Sequence, residues 1–83
     1  MAFNAKRVDF STGFSTNLNQ AEIARISKQI VIKAISLKKE FNRRKQYTIT
    51  DEKANRKVLV IYEWRNADDD GQDWLIFYKM QYL

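Results

Sequence analysis

The chain has 83 residues, a net charge of +5, 45% apolar and 30% charged residues, and neither Cys nor His. A chain of this length supports one small core, so residues 1–83 are read as a single domain; the composition is that of a folded domain and not a disordered one. Without Cys or His, disulfides, thiolate metal sites, serine triads and the usual general base near neutrality are all excluded, which points away from an enzyme.

Residues 1–18 are rich in Ser, Thr and Asn and read as a loop, with an edge strand at residues 6–10 where Val8 and Phe10 alternate with polar neighbours. The stretch STGFSTN reads as loop, and the first residues carry no apolar run of the kind an export signal needs. No run is long enough to span a membrane, so a cytoplasmic protein is the default expectation.

A helix is expected over residues 19–45. Asn19 and Glu22 have the spacing of a capping box, Leu18 and Ile23 that of a hydrophobic staple, and neither Gly nor Pro interrupts the chain from there to Lys45. Ile23, Ile26, Ile30, Ala34, Leu37 and Phe41 fall in one stripe, widened by Ala24, Val31 and Ile35, and this is the predicted core face. The opposite face carries Arg25, Lys28, Ser36, Lys39 and Arg43 around Ile32, while Lys38, Arg44 and Lys45 crowd the last turns.

Residues 46–83 change to a period of two in QYTIT, KVLVIYEWR and DWLIFYKMQYL, which predicts three antiparallel strands in a meander. Strict alternation puts Val58, Val60, Tyr62 and Trp64 in one row, and Trp74, Ile76, Tyr78, Met80 and Tyr82 in another, both beneath the helix. Leu59, Ile61, Leu75 and Phe77 then form a second apolar patch on the reverse, to be covered either by the amino-terminal segment or by a partner, a second copy of the chain included. The fold class is thus α+β, one long helix on a three- to four-stranded antiparallel sheet in the order β-α-β-β-β. This order resembles the cystatin- and monellin-like architectures, a resemblance of architecture that carries no function, since the cystatin loop motif is absent from the sequence.

Two stretches hint at chemistry and fall short of it. In NADDDGQD, residues 66–73, Asn66, Asp68, Asp70 and Gly71 mimic a calcium loop, but its twelfth position is Phe77 where a bidentate Glu is needed, so no metal or other cofactor is expected. The least implausible enzyme would be a small ribonuclease: RKVLVIYEW and DWLIFYKMQYL resemble the terminal hairpin of RelE-type bacterial toxins. That family has two helices and a catalytic basic or aromatic set, and neither finds a position-by-position match here.

Residues 19–57 hold a net +7, residues 58–83 a net −3, so the basic charge is concentrated around the helix. The expected function is therefore binding: a small accessory factor or inhibitor that docks on an acidic protein through Arg25, Lys28, Ile32, Lys39, Arg43 and Arg44. An apolar centre ringed by cations suits a protein interface better than a phosphate track. The alternatives are a nucleic-acid-binding protein that uses the same cations on phosphates, and a homo-oligomeric assembly component.

Overall fold

The reciprocal cap predicted from Asn19 and Glu22 starts the only helix among the described residues. In the computed structural model, which describes residues 8–36, 40–66 and 73–83, Glu22 N–H donates to Asn19 Oδ1 and Asn19 N–H to Glu22 Oε1, both at 2.8 Å. Ile23 N–H closes the first turn on the Asn19 carbonyl at 2.8 Å. Helix α1 runs Gln20–Ser36, with Leu18 buried and Ile23 packed against the core, as the staple requires. Asn19→Ala removes one side of this reciprocal pair and should lower stability by about 1 kcal/mol in a denaturant titration, with the slope of the transition unchanged.

Ile26, Ile30, Val31 and Ala34 are buried on the sheet side of α1, which agrees with the predicted stripe, whereas Ala24 is exposed. The helix does not continue to residue 45. Leu37 and the two lysines that come after it lie outside the described residues, and from Glu40 the chain is no longer helical. Asn42 has a φ of 61°, a left-handed backbone conformation that Asn tolerates and a helix cannot contain. It is fixed there because its N–H reaches the Trp64 carbonyl at 2.8 Å and Phe41 bridges to Trp64.

Four strands form one sheet: β1 Val8–Thr16, β2 Arg44–Asp51, β3 Arg56–Asn66 and β4 Asp73–Tyr82, in the order β1-β4-β3-β2. The β2–β3 and β3–β4 pairs are antiparallel, and the β1–β4 pair is parallel. Each connection reverses the chain, so after α1, β2 and β3 the last strand runs in the direction of the first. β1 is longer than the expected strand at residues 6–10. Most of STGFSTN, read as a loop, belongs to it, with an irregularity between Phe10 and Ser15.

The larger departure lies in β4. Ile61 pairs with Lys79 and Tyr62 with Phe77, so Tyr78 is an extra residue and the strand carries a bulge. One extra residue exchanges the faces of everything before it. Leu75 and Phe77, predicted on the reverse side, are therefore buried in the core with Val58, Val60, Tyr62, Trp64 and Met80. Trp74, Ile76 and Tyr78 turn to the side away from α1, where Ile76 pairs with Glu63 and Trp74 with Arg65. The expected homodimer patch is corrected accordingly: Leu75 and Phe77 are inaccessible, and Leu59 and Ile61 share their face with Trp74 and Ile76 instead.

The loop NADDDGQD falls almost wholly outside the described residues. Among those described, no cluster of three acidic side chains is placed to hold a metal, and no helix is long and apolar enough to cross a membrane.

Candidate functional site

Of the six residues predicted to form one outward basic face, the five that are described are divided among four environments. Lys28 is exposed on α1, and Ile32 has 61% of its surface in solvent, so the apolar centre does point outward. Lys39 lies outside the described residues. Arg43 precedes β2 in the segment that leaves the helix, its side chain 71% exposed and one nitrogen 3.8 Å from Glu40. Lys45, on β2, ion-pairs with the same carboxylate.

Arg25 is turned to the sheet. Its Nε and Nη2 bind Asp51 Oδ1 and Oδ2 at 3.0 and 2.7 Å, a bidentate pair that also ties α1 to the end of β2. Tyr82 OH donates to Asp51 Oδ2 at 2.8 Å. The Asp51 side chain is fully buried, and its hydrogen bonds with Arg25 hold its pKa down to about 2, against the desolvation that burial imposes. Burial and the adjoining carboxylate push Tyr82 up to about 12. The arrangement is an internal clamp between helix, sheet edge and carboxyl-terminal strand, and it removes Arg25 from the outward row.

Arg44 lies on the opposite side of the sheet from α1. Its guanidinium stacks 3.9 Å above the Tyr78 ring. Tyr78 OH donates to Glu63 Oε1 at 2.8 Å, and Arg65 Nε to Glu63 Oε2 at 3.0 Å. Burial works to raise the Glu63 carboxyl, but the bonds from Tyr78 and Arg65 outweigh it and hold the pKa below the usual carboxylate value. Both Glu63 oxygens are thus occupied, and this cluster serves to satisfy a buried charge on the face away from α1.

What the structure does bring together is a groove of about 620 Å³ between α1 and β2, lined by Gln29, Ile32, Lys33, Tyr47, Thr48, Ile49, Thr50 and Glu52. The periodicity of α1 foretold Ile32 in it. The contribution of β2 was missed, because the sequence does not say which strand lies at the edge of the sheet. Tyr47 and Ile49 are half-buried on the helix side, and the Gln29 side-chain oxygen is buried with no hydrogen-bond partner among the described residues. Apolar flanks, an unsatisfied acceptor and one charge of each sign, Lys33 and Glu52, make the groove suited to holding a polypeptide. Neither a family model, nor a curated protein, nor a solved structure matches the chain.

Proposed function

We propose that this chain is a protein-binding module that docks an acidic partner in the α1–β2 groove, as a small accessory factor or inhibitor of a larger protein assembly. The observation that carries this reading is Ile32: a large apolar side chain 61% exposed on the wall of a groove, with Lys28 and Lys33 on the same helix and Lys45 on the neighbouring strand. An exposed isoleucine among cations costs little when the chain is alone and gains apolar burial when a partner covers it. Acidic residues of the partner meet the cations at the rim, which speeds encounter and fixes orientation more than it adds affinity.

The test is crosslinking of the tagged protein in its native host. Ile32→Asp should leave the helical circular dichroism unchanged and alter stability by less than about 0.5 kcal/mol, since the side chain is exposed. The same change should abolish recovery of the crosslinked protein partner, and unaltered recovery would rule out this groove as the docking site.

A second reading has one observation in its favour: the β4 bulge moves Trp74 and Tyr78 off the core side, onto a face that also carries Arg44 and Arg65. Aromatic and basic residues interleaved on an open sheet are the elements of a single-strand nucleic-acid platform. Here Arg44 already covers the Tyr78 ring, which places this second. A gel-shift series with RNA and DNA would elevate it if binding weakens steeply with salt.

A further inference from the structure

We infer that the partner is taken up as an added β-strand: an extended acidic segment that pairs antiparallel with the outer edge of β2 and points alternate apolar side chains into the groove. This rests on the proposed docking groove and names the form of its ligand. β2 ends the strand order, so among the described residues no strand pairs with its outer side.

The peptide groups exposed there are fixed by two hydrogen bonds. The Trp64 carbonyl accepts from Asn42 on the β2 side of β3, and the Lys57 carbonyl accepts from Leu83 on the β4 side. In an antiparallel ladder the N–H and C=O of one residue point the same way and successive residues alternate. Val58, Val60 and Tyr62 therefore address β2, and their partners Ile49, Tyr47 and Lys45 turn back toward them. This leaves the N–H and C=O of Gln46, Thr48 and Thr50 directed outward.

Edge strands in monomeric proteins are normally blunted by bulges, prolines or inward charges. β2 pairs with β3 in unbroken register from Arg44 to Asp51, the chain contains no proline, and the inward charges of β2, Lys45 and Asp51, sit toward its two ends and leave Gln46 to Thr50 without one. The other edge strand, β1, has its register broken between Phe10 and Ser15. β2 is thus the regular edge, and it borders the groove that holds Ile32.

The register sets the ligand chemistry. Residues of the added strand opposite Ile49 and Tyr47 point to the helix side, toward Ile32, and are apolar. The one opposite Lys45 and the next on that side, near Arg43 just before β2, are acidic: those two cations share the Glu40 carboxylate, which leaves a net positive charge at that end. Antiparallel pairing gives the pattern apolar-x-apolar-x-acidic-x-acidic, and strand addition supplies main-chain hydrogen bonds that any such sequence can make.

The probe is a fluorescein-labelled peptide in which valine, valine, glutamate and glutamate alternate with threonine in that order, its binding read by anisotropy. Saturable binding by the wild type is expected, about tenfold weaker in Thr48→Pro, which removes an outward N–H and blocks the edge without breaking a β2–β3 bond. Gln46→Pro acts on the same edge and serves should Thr48→Pro fail to fold, a point read by circular dichroism. A peptide with lysines in place of glutamates should bind at least about tenfold more weakly.

No binding of the glutamate peptide by the wild type, or equal binding of the lysine peptide, overturns the inference. Full binding by a folded Thr48→Pro variant combined with loss in Ile32→Asp overturns strand addition while leaving the groove as docking site. A dimer in sedimentation that Thr48→Pro dissolves assigns the edge to a second copy and likewise overturns the assignment.

Discussion

Asp51→Ala should lower the stability at neutral pH by about 3 kcal/mol, because it takes the shared carboxylate from between Arg25 and Tyr82 and leaves two buried-side donors without their acceptor. For a domain of this size such a loss moves the melting temperature down by roughly 15 °C, which differential scanning calorimetry reads directly. The pH dependence separates charge from shape. The folded-state pKa of Asp51 is depressed from 3.8 to about 2, so the unfolded chain binds more protons between those values. Its contribution, about 2 kcal/mol, is therefore complete above about pH 5 and is lost as the pH falls from about 4 toward 2. Asp51→Asn keeps the volume and lacks the titration; its stability should lie below that of the wild type at pH 7 and the two should converge near pH 2. Parallel curves across that range would refute the clamp as an electrostatic device.

Phe77→Ala should be at least as damaging, at about 3 to 5 kcal/mol, since Phe77 is fully buried and its ring packs between β1 and the core. Ile76→Ala, one residue away, should cost under about 1.5 kcal/mol because its side chain stands on the face away from α1 and is only partly buried. Strict alternation through β4 predicts the reverse ranking. The pair of urea titrations consequently tests the bulge at Tyr78 as well as the core: a larger loss at Ile76 than at Phe77 would mean that the strand runs without it.

Much of the local structure was legible in the chain because its causes lie within a few residues of one another. The Asn19–Glu22 cap acts across three positions, and the stripe of Ile26, Ile30 and Ala34 repeats with the helical turn, so both could be read directly. The period-two runs marked β2, β3 and β4 for the same reason, with boundaries correct to within a few residues. The expected helix ran too far because a contact distant in sequence, between Asn42 and Trp64, holds the chain around Asn42 in a non-helical path where propensity alone would carry the helix on.

The candidate site divides along that line. Ile32 and Lys28 were visible as the outer side of an amphipathic helix, and both are exposed. That Arg25 would be bound by Asp51, 26 positions away, was not visible, since a helical wheel assigns a direction and not a partner. Nor could alternation reveal the inserted Tyr78, because a bulge is set by how two strands fit across their pairing, and one residue of slip exchanges the buried and exposed sides. The sequence by itself determined where α1 begins, the main extent of β2, β3 and β4, and where the positive charge gathers, through interactions local in the chain. Only the tertiary structure decided that β2 lies at the edge, that Arg43 and Arg44 leave the helix, and that a groove opens beside Ile32, because strand order and register depend on pairings between residues far apart in sequence.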